Sequence, residues 1–218
     1  MTNQSNDTAA AKGTIRSRLL AARRECAPAQ RAAWSEAACA RLLEPILEHV
    51  GAADTETGGI VAAYASFGTE PSTGPLLAGL LDRGVRVLLP ILENDNDLAW
   101  GWYSSPDSLV RGNSDGEPLP QPPGPIPEPA VSLGVEAVLD ADVVVLPGLA
   151  VDGRGMRLGR GGGSYDRVMA RLASQPSAER PWTVVLLYPG EVGIPVPAEP
   201  HDHAVDAAAT AEGMTWFR

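Results

Sequence analysis

Apolar residues along the chain follow two different periods. Between Lys12 and about Glu25, Ile15, Leu19 and Ala22 recur at helical spacing in a stretch rich in Ala, Leu and Arg. Pro28 can open a second helix, because proline is tolerated in a first turn, and Trp34, Ala38, Leu42 and Ile46 then fall on one face. Pro45 is expected to kink or end that helix. After Gly58-Gly59 the pattern changes to short apolar runs, read as strands: Ile60 to Tyr64, Val85 to Leu89 closed by Pro90, Leu98 to Tyr103, Val143 to Leu146, and Thr183 to Leu187. Val143-Val144-Val145-Leu146 is apolar without a break, as in a strand buried on both faces. Trp100 and Trp102 share one face of their strand, which points to packing for at least one of them. Helices are expected from the loop Ser66 to Pro75 up to Gly84, and from about Ser164 to Ala173; Met214 to Phe217 reads as an edge strand. There is no internal repeat. Strands alternating with helices predict an α/β layered fold with a mostly parallel sheet, in which ligands bind beyond the carboxyl ends of the strands. The loop after Leu146 lies at such an end.

The remaining segments bound the domain. Residues 1–11 read as a disordered lead-in and 12–218 as a single domain, which suits a chain of 218 residues. Pro118, Pro120, Pro122, Pro123, Pro125, Pro127 and Pro129 make residues 117–129 an extended crossing or semi-rigid surface loop. Composition changes the picture in one respect. Lys plus Arg number 17 and Asp plus Glu 27, a formal net charge of -10, which argues against a nucleic-acid partner but not against a small anion held by a local cluster. Cys26 and Cys39 form no disulfide framework and lack metal-ligand spacing, so they read as free thiols. The polar, small residues from Met1 to Ala11 do not read as a signal peptide, and no apolar run reaches the roughly 20 residues that cross a bilayer. A cytoplasmic protein without membrane contact, a monomer or weak homodimer, is the expectation.

The most unusual segment is Arg157-Leu158-Gly159-Arg160-Gly161-Gly162-Gly163-Ser164-Tyr165-Asp166-Arg167. Glycines that lead into a helix let several amide N–H groups approach one anion, and the two arginines add charge in a planar fork suited to phosphate. The competing reading is a flexible strand-to-helix connection. No Gly-Lys-Ser/Thr follows the glycines, so this is not a Walker A loop, and its distance from the strand makes a poor dinucleotide fingerprint.

Together with Leu146-Pro147-Gly148-Leu149-Ala150-Val151-Asp152, this segment closely resembles the signature of the 5-formyltetrahydrofolate cyclo-ligases, also called methenyltetrahydrofolate synthetases. The resemblance extends over nearly the whole chain. Lys12 and Arg16 resemble the family's N-terminal Lys and Arg that contact ATP phosphates. The segment Tyr64 to Glu70 resembles the one whose glutamate helps hold the folate. Ile126-Pro127-Glu128-Pro129 resembles an Ile-x-Glu-Pro element, and Asp202 with Val205-Asp206 resembles a segment supplying a magnesium-binding carboxylate. Ser164 departs from the pattern, standing where the family usually has a tyrosine. The proline-dense stretch before Glu128 is also longer than usual.

The resemblance implies a Rossmann-like three-layer α/β/α fold with a mostly parallel sheet, of the NagB/RpiA/CoA-transferase-like type. It implies ATP- and Mg2+-dependent cyclisation of 5-formyltetrahydrofolate to 5,10-methenyltetrahydrofolate, by phosphorylation of the formyl oxygen and attack of the folate 10-nitrogen. Lys12, Gly13, Thr14, Ile15 and Arg16, with Arg157, Leu158, Gly159, Arg160, Gly161, Gly162, Gly163, Ser164 and Tyr165, would meet ATP. Ala65 and Glu70, with Arg160 to Ser164, would meet the folate. Arg157, Arg160 and Tyr165 would be catalytic, and Asp166 and Asp202 would face the metal. Each also has a plainer reading: a solvated basic face for Lys12 and Arg16, a helix cap or a pair with Arg167 for Asp166, a surface carboxylate for Glu70, core packing for Tyr165. His201-Asp202-His203 reads as a solvated loop, apart from Asp202. A non-catalytic nucleotide- or folate-binding regulator, motivated by Ser164, and a phosphosugar enzyme on the same sheet are the alternatives.

Overall fold

The computed structural model describes residues 2–52, 58–110, 126–199 and 202–217. Two long helices open the chain, α1 (Thr2–Glu25) and α2 (Pro28–Ala52). Then come β1 (Ile60–Ala62), α3 (Gly74–Leu81), β2 (Arg86–Leu92), β3 (Leu98–Tyr103), β4 (Leu109–Val110) and β5 (Glu128–Pro129). The second half carries β6 (Val143–Pro147), β7 (Ala150–Val151), β8 (Arg157–Leu158), α4 (Ser164–Ala173), β9 (Trp182–Leu186), β10 (Ala207–Thr210) and β11 (Gly213–Trp216). One seven-stranded sheet runs β11-β10-β9-β6-β1-β2-β3. Its five central strands are parallel, and β11 and β3 close the two edges antiparallel.

Alternation along the strands divides the sheet's side chains between two cores. Val61, Val87, Leu89, Val143, Val145, Val184 and Leu186 face α2 and α3, where Ala38, Leu42 and Ile46 of α2 meet Leu76 and Leu80 of α3. Ile60, Ala62, Leu88, Val144, Leu146 and Val185 face the other way, onto Val168, Met169 and Leu172 of α4. That is the expected three-layer α/β/α sandwich. Trp100 lies fully buried in the second core, while Trp102, two residues on, is 42% exposed beneath Arg86.

Four local expectations need correction. α1 begins at Thr2, inside the segment expected to lack structure. Pro45 does not end α2, which continues to Ala52. β1 stops at Ala62 rather than Tyr64, because beyond it the chain turns away toward Glu70. β2 runs through Pro90 to Leu92. Arg86 donates its N–H to Gly59, so the N–H side of every second residue from there faces β1; by Pro90 that neighbour has ended, and a missing N–H costs nothing. The proline-dense stretch lies mostly outside the described residues; its end, Glu128–Pro129, pairs antiparallel with Leu109–Val110.

Strand order reverses at β1, which neighbours β2 on one side and β6 on the other. A crevice opens at such a switch point, outside the carboxyl ends of the strands. Loops leaving β1, β6 and β9 share that end. α1 lies against them, its Leu19 buried with Leu149, Ala150, Leu158 and Val196.

Candidate functional site

Four side chains of α1 form one stripe, because Lys12, Arg16, Leu19 and Arg23 follow helical spacing. Leu19 anchors the helix. Arg16 Nε donates to the carbonyl of Gly159 at 2.9 Å, which brings the guanidinium onto the glycine-rich loop. Gly161 has φ +103°, and a Cβ there would stand 3.4 Å from Arg16 Cζ; the backbone conformation and the approach of Arg16 both favour glycine. Lys12 Nζ reaches the connection after β9, donating to Asp202 at 2.8 Å and Glu199 at 3.1 Å. Burial would lower the Lys12 pKa, but these two carboxylates outweigh it and hold the ammonium above its ordinary value.

Arg157 and Arg160 diverge. The Arg157 side chain is only 5% exposed; it donates to Pro147 O at 3.0 Å and to Asp166 Oδ1 at 2.7 Å, with Tyr165 alongside at 5.9 Å. Burial draws its pKa down, with Asp166 the first opposing charge, yet a guanidinium stays protonated. Arg160 is 37% exposed, stacks 4.4 Å over the Phe67 ring, and donates to Glu70 Oε1 at 3.2 Å. Glu70 thus meets the glycine-rich loop across the switch point, although the two residues lie 90 positions apart.

The Glu70 carboxylate is 6% exposed. Burial pushes its pKa above the usual carboxylate range, against the Phe67 amide and the Arg160 and Arg23 guanidiniums. Tyr165 packs against both cores; burial foremost, then the Glu70 charge, raises its pKa far enough to keep it a phenol at any working pH.

Other expected residues take plainer positions. Thr14 Oγ1 donates back to Ala10 O at 3.1 Å within its helix, and Gly13 borders open space. Ile15, Leu158 and Ala65 pack in apolar clusters, so any polar contact from them is through backbone. Gly162 and Ser164 sit beside each other at the entry to α4. Asp166 is an ion-pair partner, as one plainer reading held, but its cation is Arg157 rather than Arg167. Arg167 instead donates to Asp95 O at 2.5 Å.

For magnesium the donor set is sparse but suitable. Among the described residues no cluster of three or more His, Cys, Asp or Glu forms a metal cage. Mg2+ does not require one, since it commonly takes one or two carboxylates and completes its shell with phosphate and water. Asp202 pairs with Lys12 and Asp166 with Arg157, which makes these two carboxylates the hard oxygen donors that a metal ion could meet beside α1 and the glycine-rich loop.

Sequence reasoning missed a buried pair. Arg23 Nε and Nη2 donate to both oxygens of Glu191 at 2.7 Å each, from a side chain that is 2% exposed. Helical continuation of the Lys12 and Arg16 stripe was the available signal for Arg23; nothing local marked Glu191.

The chain is similar to known proteins of one family. The 5-formyltetrahydrofolate cyclo-ligase family model matches residues 8–211. A 5-formyltetrahydrofolate cyclo-ligase of Mycolicibacterium smegmatis is 38% identical over 159 residues, spanning 71% of this chain and 74% of its own. One from Saccharomyces cerevisiae is 34% identical over 173 residues, 72% of this chain and 79% of that one. The solved structure of Aquifex aeolicus 5,10-methenyltetrahydrofolate synthetase superposes with a TM-score of 0.69 at 25% identity, covering 95% of this chain and 93% of the other. That from Mycoplasma pneumoniae, at 14% identity and a TM-score of 0.65, supports the fold.

Proposed function

Because the chain belongs to the 5-formyltetrahydrofolate cyclo-ligase family, we propose that the switch-point crevice joins an ATP half to a folate half and that Arg160 stands between them. The observation that carries this reading is the 3.2 Å contact from Arg160 to Glu70. It brings the glycine-rich loop after β8 against the carboxylate after β1. The family is one of catalysts, so the regulator reading is not favoured.

In this reading the ATP polyphosphate lies along Lys12, Arg16 and the glycine-rich amides. The helix N-terminus of α4 and the fixed guanidinium of Arg157 add positive potential where the terminal phosphate would sit. Asp202 and Asp166 would hold Mg2+, which when bound spreads charge over the phosphates. Glu70, as a carboxylate, accepts hydrogen bonds from the amino and ring N–H groups of the pterin, and Arg160 keeps its position until substrate arrives.

The chemistry needs the formyl oxygen made into a leaving group. That oxygen attacks the terminal phosphorus; the new O–P bond forms as the bond to the bridging oxygen breaks, and ADP leaves. The carbon is then an iminium phosphate. The folate 10-nitrogen adds to it, loses its proton, and phosphate departs with the C–O bond electrons, closing the methenyl ring. Arg157 and Arg160 stabilise the phosphoryl oxygens during transfer, the main task in such reactions. Tyr165 stays a phenol, so its hydroxyl can donate a hydrogen bond to the substrates or accept one from them, but cannot serve as a phenolate base.

The test is direct. Purified protein with 5-formyltetrahydrofolate, ATP and magnesium is expected to produce the near-ultraviolet absorbance of the methenyl product. Its absence, with both substrates shown to bind, would overturn the catalytic reading.

A further inference from the structure

The geometry points to Arg23 as a positioning residue for the folate half of the site, acting through Glu191 and Tyr188 on the loop that carries Glu70. This rests on the assignment of Glu70 to the folate. Arg23 belongs to the same stripe of α1 as Lys12 and Arg16, but turns inward rather than toward phosphate. Its two donors to Glu191 form a parallel fork, and Nη2 also donates to Gly148 O at 2.7 Å. Glu191 Oε2 in turn accepts the Tyr188 N–H at 2.8 Å. The Tyr188 ring lies 5.1 Å from the guanidinium, and its hydroxyl donates to the Glu70 carbonyl at 3.1 Å.

These contacts trace one path. Gly148 follows β6, Tyr188 follows β9, and Glu70 lies in the loop after β1. The three strands are adjacent in the sheet, and a single side chain from α1 reaches the ends of two of them and, through Tyr188, the third. The remaining donor, Nη1, is buried without a hydrogen-bond partner among the described residues. A buried ion pair adds little net stability over apolar residues of similar size, whereas a two-pronged guanidinium–carboxylate contact fixes orientation tightly. Arg23 also bears on Glu70 electrostatically: burial pushes that carboxyl up, and Arg23 is among the charges that draw it back.

Two variants separate positioning from scaffolding. Arg23→Met combined with Glu191→Met removes the pair and keeps its volume; because Gly148 O and the Tyr188 N–H lose their partners, the fold is expected to survive with a thermal midpoint lowered by several degrees. Tyr188→Phe removes only the hydroxyl that reaches Glu70. Both are expected to raise the KM for 5-formyltetrahydrofolate, the double variant by about tenfold, which corresponds to about 1.4 kcal/mol, while the KM for ATP stays within about twofold. Arg23→Lys keeps the charge but not the fork, and is expected to recover only part of the loss. Unchanged folate KM in folded double variant and in Tyr188→Phe would overturn the proposal, as would equal rises for both substrates. Should the double variant fail to fold, Tyr188→Phe alone decides. Glu70→Gln serves as the control. If it leaves the folate KM unchanged, the assignment of Glu70 fails and this inference with it; if it raises that KM while the other variants do not, only the role of Arg23 fails.

Discussion

Arg157 and Arg160 stand three positions apart and would fail differently if truncated. Arg160→Ala removes a part-exposed guanidinium with one carboxylate contact, so its effect should fall on turnover. A loss of about a hundredfold in kcat is expected, typical for one donor to a developing anion, with the thermal midpoint nearly unchanged in a melting experiment. Arg157 reads from sequence as a polar-loop residue whose loss would spare the fold. Its buried guanidinium changes that expectation. Arg157→Ala should cost about 2 kcal/mol of stability in addition to turnover, measurable by denaturant titration, because the Pro147 carbonyl loses a charged donor. Glu128 offers a pH-dependent case. Burial raises its carboxyl pKa, opposed by the Leu92 N–H that it accepts at 3.0 Å, and the nearby Glu93 adds to the rise. The folded state therefore binds this proton more tightly than the unfolded state, and stability falls as pH rises from the ordinary glutamate value through the raised one. Glu128→Gln keeps an acceptor without the charge. It should melt at higher temperature than the parent at pH 8, and the gain should vanish once Glu128 is protonated at acid pH.

Among the elements, those with a strong local period were legible. The run Val143 to Leu146 announced a strand buried on two faces, and Ser164 to Ala173 appeared as the helix observed. β10 escaped because Ala207-Ala208-Ala209-Thr210 carries no strand preference of its own; neighbours β9 and β11 impose it. Of the candidate site, the contiguous run 157–167 stood out in the sequence by itself, Lys12, Arg16, Glu70 and Asp202 only through family resemblance, and the contacts that the fold makes between them not at all. The Arg160–Glu70 contact and the Arg23–Glu191 pair join residues 90 and 168 positions apart, and only strand order brings them together. The β7–β8 turn shows the same dependence. Gly155 has φ +82°, and a Cβ there would stand 2.6 Å from the Val205 carbonyl oxygen, which belongs to the approach to β10. Gly155→Ala should destabilise by about 2 kcal/mol or more, since backbone must move on both sides; equilibrium unfolding would show it.

At the scale of the molecule, a chain of net charge -10 carries Arg157 and Arg160 on the glycine-rich segment, with Arg16 bonded to it and Lys12 one helical turn away. On the proposed reading, attraction of ATP there works against the remaining field and through short-range contacts, and salt screens such contacts where they are exposed. The KM for ATP is expected to rise several-fold between about 0.05 and 0.5 M salt, a range over which the Debye length falls roughly threefold. A steady-state titration at each ionic strength would measure it. α1 adds a last consequence. Its apolar anchor, Leu19, belongs to a small cluster separate from the two cores that clamp the sheet. A helix held by this small cluster and by the polar contacts of Lys12, Arg16 and Arg23, rather than by a face of either main core, should open more readily than the strands unfold, so its amide protons should exchange with deuterium before those of β6 and β9. Since Lys12 and Arg16 ride on it, nucleotide binding would appear chiefly as slowed exchange along this one helix, and the occupied enzyme would be recognised by a quiet N-terminus.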